Sequence, residues 1–514
     1  MVPPRSGKRC GGERYLTSLQ VGIAAFMTNR LAEKVLLLGW DAADWQIIRP
    51  LLDAAQMPNL QRLIAEGASG DLASLQPMLS PMLWTSIATG KRPHKHGILG
   101  FTEPQPDGTG IRAASSTSRV TKAIWNILTQ RGFRTHNVAW YASHPAEPIN
   151  GVSVSNHFHV APLPGQPWET VKGSIYPPEL SDDLAQLRVR PEELRLADLQ
   201  SFIPDAASVD ENNDDRVLKC AVILAETATT HAAATWIMER HPWDFMAVLY
   251  DSIDHFSHMF MEYHPPKQPH ISEADFERYR HVVTTCYRFH DLMLGRLLEL
   301  AGENVTVLLV SDHGFRSGQS RLRETVKSLE GLAAWHRPEG ICVLNGPSIR
   351  HGARLEGASL LDVAPTILRL LGLAVGRDMD GRAWLECING AFESATVTSW
   401  DDVPGEAGLH PADARQNPAD SLQVLRHLIA LGYLDAPDAN AQRAVDACLA
   451  TNQFNLGRAL HDAGLPNEAS PVLAALVQRH PHHAGYAQAL AEVDRMAECA
   501  ASAAVPPRHP PLAG

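Results

Sequence analysis

Three apolar runs of strand length, each closed by an acidic turn, constrain the fold of this 514-residue chain more than any other feature. Lys34-Val-Leu-Leu-Leu-Gly39 runs into Trp40-Asp41, residues 243–250 (WDFMAVLY) run into Asp251, and residues 304–310 (NVTVLLV) run into Ser311-Asp312-His313-Gly314. Unbroken apolar runs of this length suit parallel strands buried on both faces. Open α/β sheets collect ligand groups at the carboxyl ends of such strands, so Asp41, Asp251 and the Asp312-His313 pair are expected along one edge. Helices are predicted over 58–66 (stopped by Gly67), 118–130, 217–240, 276–300 and 360–371, with a further strand over 133–141. This βα alternation is that of a doubly wound sheet.

The stretch Ser80 to Gly97, SPMLWTSIATGKRPHKHG, reads as a nucleophile at the start of a helix. Ser80 is a good N-cap, Pro81 suits the first helical position, and residues 82–88 continue the helix. The partial positive charge and unpaired N–H groups there favour both an alkoxide and an arriving anion. Within Asp251-Ser-Ile-Asp-His255, the D-x3-H spacing sets Asp251 and His255 on one side of a helical turn, where one metal ion can take both. Asp254 and His258 repeat that spacing and stand outside the core set, His258 as a structural residue. Asp44 reads as the cap of the next helix. Asp312 and His313 form a compact corner, with Gly314 permitting close backbone approach, and His336 lies in a loop before another strand.

Composition narrows the partners. A net charge of -12 without a basic block argues against a nucleic-acid backbone or an anionic membrane as main partner, and no apolar run approaches a membrane span. The seven cysteines are scattered and form no CxxC, as reduced structural thiols would be. Together with a poor leader they favour a cytoplasmic location, the periplasm being the alternative.

Five regions follow: a leader over 1–33, disordered or preceding a true start at Met27; a catalytic domain over 34–390; a linker over 391–419; a helical region over 420–500; and a disordered end over 501–514. Within the catalytic domain the βα rhythm lapses over about 161–215, which reads as a cap insertion lying over the active face. In the helical region Asn455, Leu456, Gly457, Leu460, Ala469, Leu473 and Pro481 match the spacing of a tetratricopeptide repeat, the alternative being an ordinary helical hairpin.

As an ordered set, these residues resemble the alkaline phosphatase superfamily, in its type I phosphodiesterase/nucleotide pyrophosphatase-like branch, over residues 34–390. The resemblance implies a three-layer αβα core with a mainly parallel sheet, a cap insertion and a small all-helical C-terminal region. It also implies two zinc ions, one held by Asp41, Ser80, Asp312 and His313 and the other by Asp251, His255 and His336; manganese or iron would suit the same N/O ligands. The family nucleophile lies ten residues before the glycine of a Thr-Gly pair, which from Gly90 gives Ser80 and leaves Thr85 inside the helix. The implied activity is a phosphoric ester hydrolase, first a phosphodiesterase, working through a phosphoseryl intermediate on a small-molecule substrate. Phe101 stands where nucleotide-cleaving relatives often carry asparagine, and no C-x-P-x-R motif of the sulfatases is present. Phosphotransfer to an acceptor alcohol, or a non-catalytic metal-bound scaffold docking a protein partner through the helical tail, are the alternatives.

Overall fold

The structure, a computed structural model, describes residues 29–503 apart from 163–165, 169, 211–212, 324–328, 391–394, 412–421, 435 and 439. Most of the expected leader, much of the linker and the end from residue 504 lie outside the described residues. The main sheet contains β1 (Lys34–Trp40), β2 (Ala68–Ala73), β3 (Thr135–Val138), β4 (Ser153–Val154), β5 (Ile175–Tyr176), β6 (Phe245–Tyr250), β7 (Val305–Val310), β8 (Glu339–Asn345) and β9 (Ala353–Ser359). Their spatial order is β9-β2-β8-β7-β1-β6-β3-β4-β5. From β7 to β4 all pairs are parallel, while β8 runs antiparallel to both β7 and β2.

The three apolar runs are therefore neighbours. β1 lies between β6 and β7, with Trp40 opposite Tyr250 and Gly39 opposite both Leu249 and Val310. Because the strands run the same way in near register, Asp41, Asp251 and Ser311-Asp312-His313 leave the sheet at one edge.

The principal helices are α1 (Trp45–Asp53), α2 (Pro58–Ala65), α3 (Ser80–Thr89), α4 (Ile124–Gln130), α5 (Arg216–Arg240), α6 (Ser252–Phe260), α7 (Val282–Ala301) and α8 (Val363–Leu370). One sheet face buries Leu36, Leu38, Val248 and Leu309 against α1, α2, α5, α6 and α7. The other buries Val35, Leu37, Ala247 and Leu308 against α3, α4 and α8. The result is the expected three-layer αβα core. The helix predicted over 118–130 starts only at Ile124, because Ala123 is extended and the Asn126 side chain accepts its N–H.

The insertion over 161–215 packs chiefly along the outer helices. Val189 N–H donates to Thr229 of α5, and Phe202 stacks on Phe256 of α6. The element that reaches the strand ends is instead α9 (Leu422–Leu431), with the turn after it; Val424, Leu428 and Tyr433 pack on Leu79, Met82, Phe101 and Val160.

Beyond α9 come α10 (Ala441–Asp462), α11 (Pro466–Arg479) and α12 (Ala484–Ala503). Gly457 brings α10 and α11 together, since a Cβ there would lie 2.6 Å from Leu473 Cδ2, and α11 ends two residues before Pro481.

Gly39 has a similar function under α3. A Cβ at this position would lie 2.7 Å from Trp84 and 2.7 Å from Leu249, both fully buried. The Trp84 ring thus settles onto the sheet only because β1 has no side chain there. Gly39→Ala is expected to destabilise the protein by about 1–3 kcal/mol, the usual cost of overpacking a filled core, read as a lower urea midpoint with an unchanged slope.

Candidate active site

Ser80 is the first residue of α3, one position further in than the cap expected of it; Leu79, in extended conformation, is the N-cap. Two neighbours fix its surroundings. Trp84, one turn on, donates Nε1–H to Asp41 Oδ2 at 2.9 Å, and the Met78 carbonyl, two residues back, lies 3.2 Å from His336 Nδ1. These two contacts tie the start of α3 to Asp41 on one side of Ser80 and to His336 on the other. Among the described residues its hydroxyl makes no hydrogen bond. Thr85, by contrast, donates its hydroxyl to the Pro81 carbonyl at 2.7 Å and is occupied within the helix.

Asp41, Asp312 and His313 come together as expected, each with a ligand atom within 4.8 Å of the others. His313 Nε2 lies 3.4 Å from Asp41 Oδ1 and 3.6 Å from Asp312 Oδ2. The Nδ1 of His313 faces the Gly314 carbonyl at 3.1 Å, which can only accept, so the proton sits on Nδ1 and the Nε2 lone pair points at the carboxylates. Asp44 supports this corner. It caps α1 through Gln46 N–H and takes Phe315 N–H and Arg337 Nη1, an approach open only because Gly314 lacks a Cβ, which would lie 2.4 Å from Asp44 Oδ2.

His336 does not meet Asp251 and His255. Its ring stacks on His313 at 3.7 Å, and its Nε2 lies 3.5 Å from Asp254 Oδ1 and 3.1 Å from His258 Nε2. Asp254 and His258, 3.3 Å apart, thus take the places expected of Asp251 and His255. Both pairs are spaced i,i+4, Asp251 as the N-cap residue of α6 and the other three within it, but a step of three residues turns the helix by about 300°, so the two pairs face directions about 60° apart. Periodicity contains both frames and cannot choose between them.

The other pair looks elsewhere. Asp251 lies 3.9 Å from His255 Nδ1 and 3.5 Å from His159 Nε2, and His255 groups with Glu226 of α5 and His427 of α9. Nothing in the spacing of His159, Glu226 or His427 pointed to this second cluster.

The central group is buried, and at Asp41 and Asp312 it is electrically uncompensated. Burial and the neighbouring Asp312 and Asp254 carboxylates hold the Asp41 carboxyl well above its usual range, and burial with Asp254 does the same to Asp312. At Asp254 burial acts upward, but His258 and His336 more than offset it and hold the carboxyl well below that range. Burial, with His336 adding, pulls His313 well below an ordinary imidazole. Asp41 Oδ1, both Asp312 oxygens, Asp254 Oδ1 and His313 Nε2 are buried without a hydrogen-bond partner among the described residues. Convergent buried lone pairs without donors are costly alone and are the donor set a divalent cation satisfies.

Around the group stand Phe101, Tyr141 and Tyr433. Phe101 lies 5.1 Å from Tyr433 and 6.4 Å from Tyr141 between ring centres, and the Tyr433 hydroxyl donates to Asp254 Oδ2.

Residues 35–366 match the sequence profile described as type I phosphodiesterase / nucleotide pyrophosphatase. No curated protein matches the chain. Among solved structures, phosphonoacetate hydrolase from Sinorhizobium meliloti 1021, in complex with phosphonoformate, aligns at 17% identity over 56% of this chain, with a TM-score of 0.36. The alignment spans only 60% of that hydrolase's length. Wild-type alkaline phosphatase PafA aligns at 12% identity over 70% of this chain and 100% of its own, with a TM-score of 0.48. Human ectonucleotide pyrophosphatase / phosphodiesterase 5 aligns at 12% identity over 70% of this chain and 100% of its own, with a TM-score of 0.38.

The raised Asp312 carboxyl gives a signed prediction for chelator-treated protein. A folded-state value above the unfolded 3.8 means that folding favours the protonated form, so its cost to stability is absent below 3.8 and grows as pH rises towards the folded value. Asp312→Asn removes that cost. In chelator its Tm should match wild type near pH 3.8 and exceed it increasingly at higher pH, as measured by calorimetry.

Proposed function

The chain belongs to the type I phosphodiesterase / nucleotide pyrophosphatase family, and on that premise we propose that it hydrolyses phosphoric esters, diesters in preference, through two divalent metal ions, zinc first, and a phosphoseryl intermediate on Ser80. One metal site is Asp41, Asp312 and His313 with the Ser80 hydroxyl; the other is Asp254, His258 and His336. The observation that carries this is the set of buried, unpartnered oxygen and nitrogen atoms converging beside a serine whose hydroxyl is free. When bound, such a metal pair supplies Lewis acidity, neutralising the phosphoryl oxygens and lowering the pKa of a hydroxyl or water.

The chain's own residues do the rest. Ser80 Oγ attacks phosphorus in line and gives its proton to solvent water, and the bond to the departing alcohol oxygen breaks, that oxygen taking up a proton from solvent, as the Ser80–phosphate ester forms. Water then attacks the same phosphorus from the vacated side, the bond to Ser80 Oγ breaks, and the serine takes back a proton. At the start of α3 Pro81 has no N–H and Met82 and Leu83 donate theirs to the Leu79 carbonyl, which leaves the Ser80 N–H as the backbone donor for a phosphoryl oxygen. Trp84 holds Asp41, and the Met78 carbonyl fixes the His336 tautomer, so that the ligand atoms stay aimed without rearrangement. Thr85 takes no part, because its hydroxyl is committed to the helix.

Two features favour a diester. Among the described residues no Lys or Arg forms an ion pair with Asp41, Asp254 or Asp312 that could turn to the second charge of a dianionic monoester. Phe101, Tyr141 and Tyr433 offer an apolar wall for a second ester substituent. Phe101 in place of an amide also weighs against nucleotide pyrophosphatase activity.

The test is turnover of a chromogenic phosphodiester and the matching monoester, with metal content measured in parallel. Ser80→Ala should lose turnover by about a thousandfold or more, the scale for removing a nucleophile that acts as part of a unit, with the Asp254 group's metal retained. Asp254→Asn and His258→Ala should lose both metal and turnover. Full activity in His258→Ala would remove Asp254 and His258 from this assignment.

A further inference from the structure

The second cluster, beside the proposed catalytic centre, is unused by the reaction and yet assembled from three distant parts of the chain. Glu226 comes from the middle of α5, His255 from α6 and His427 from α9, and their ligand atoms all lie within 4.8 Å of one another. His427 Nδ1 is 3.6 Å from Glu226 Oε1, and the His255 and His427 ring centres are 6.1 Å apart. Glu226 and His255 are each only 3% exposed. Glu226 Oε1 also accepts the Ala161 N–H at 2.9 Å. Asp251 and His159 stand behind the group: Asp251 faces His255 Nδ1 on one side and His159 Nε2 on the other.

A core built only for packing would fill this space with apolar side chains, since buried ionisable groups without full pairing are costly. Among the described residues neither Glu226 nor Asp251 has a Lys or Arg partner in an ion pair. Two imidazoles and a carboxylate are the ligand set of many divalent transition-metal sites with an open position. Asp251, 3.9 Å from His255 Nδ1, is too far for a hydrogen bond and adds a second carboxylate charge beside the group.

We propose that Glu226, His255 and His427 bind a third divalent transition-metal ion, with zinc the best fit to two imidazoles and a carboxylate, and that this ion clips the C-terminal helix α9 onto the catalytic domain. His427 is the one ligand supplied from beyond the catalytic domain, so occupancy ties α9 to α5 and α6. It also fixes what α9 carries to the centre: Gln423 Nε2 donates to the Val160 carbonyl at 2.7 Å, and Tyr433, six residues beyond His427, donates to Asp254. The third ion is a positioning element for the aromatic wall of the substrate site. The proposal does not depend on the catalytic assignment, because no ligand is shared.

The experiment is zinc stoichiometry by elemental analysis on the full chain in a zinc-buffered solution, for wild type, His427→Ala, Glu226→Gln and the double variant Asp254→Asn/Asp312→Asn. Wild type should hold three ions, and His427→Ala and Glu226→Gln two each. The double variant should keep the third ion while losing the others. Glu226→Gln preserves shape and hydrogen bonding to Ala161, so it reports on ligation even where His427→Ala perturbs folding. Amide exchange over residues 422–434 gives a second readout, expected to quicken at least tenfold in Glu226→Gln or on zinc removal. Two ions in wild type, or an unchanged count in Glu226→Gln, would overturn the third site. Loss of one ion in Glu226→Gln together with no loss in the double variant would leave the third site standing and remove the catalytic assignment instead.

Discussion

Asp41 donates its N–H to the Tyr250 carbonyl at 2.9 Å, extending the parallel pairing of β1 and β6 one residue past the strands themselves. This contact, with the matching alignment of β7 on the other side of β1, brings the ends of three strands side by side. Parallel pairing has that consequence wherever strands are in near register, because all carboxyl ends fall on one edge. Here each of the three ends carries acid, and the helix after β6 adds Asp254 and His258.

Placing carboxylates together in a core is unfavourable unless something compensates them. Asp41 and Asp312 are pushed towards their neutral forms, while Asp254 is kept ionised by two histidines. The surrounding fold holds the group in place against that cost. Trp84 reaches down from α3 over Gly39, Asp44 ties α1 to Phe315 and to Arg337 next to His336, and Met78 fixes the same histidine from the residue pair before Ser80. A single short helix therefore carries the serine and is flanked by contacts to both halves of the ligand cluster. These contacts fix the directions in which the buried oxygen and nitrogen atoms point.

The parts legible in the sequence were those with local signals. The strands over 34–40, 245–250 and 305–310 announce themselves as apolar runs, and the start of α3 follows from Ser80-Pro81. Asp41, Asp312 and His313 meet because their strands are adjacent. Two local readings needed correction. Ser80 begins the helix where it was expected to cap it, since Pro81 is accommodated equally well at the second helical position. The acid–histidine pair that meets His336 is Asp254 and His258, three residues further along α6, leaving Asp251 and His255 to face Glu226 and His427.

The sequence by itself determined the elements and the chemical types at their ends, because hydrophobic runs, prolines and glycines act over a few residues. It determined that an acidic, two-sided α/β sheet would present aspartates and histidines at one edge, and the family resemblance on those residues pointed to phosphoric ester chemistry. Only the tertiary structure decided which of two overlapping D-x3-H frames faces that edge, because a rotation of about 60° around α6 changes the partners without changing the pattern. It alone brought His427 and Tyr433 from beyond residue 421 against the catalytic domain, and set Glu226 beside His255. The contacts of His427 and Tyr433 with Glu226, His255 and Asp254 join residues roughly 170 to 200 positions apart, and no local propensity encodes which distant helix will fill a space in the core.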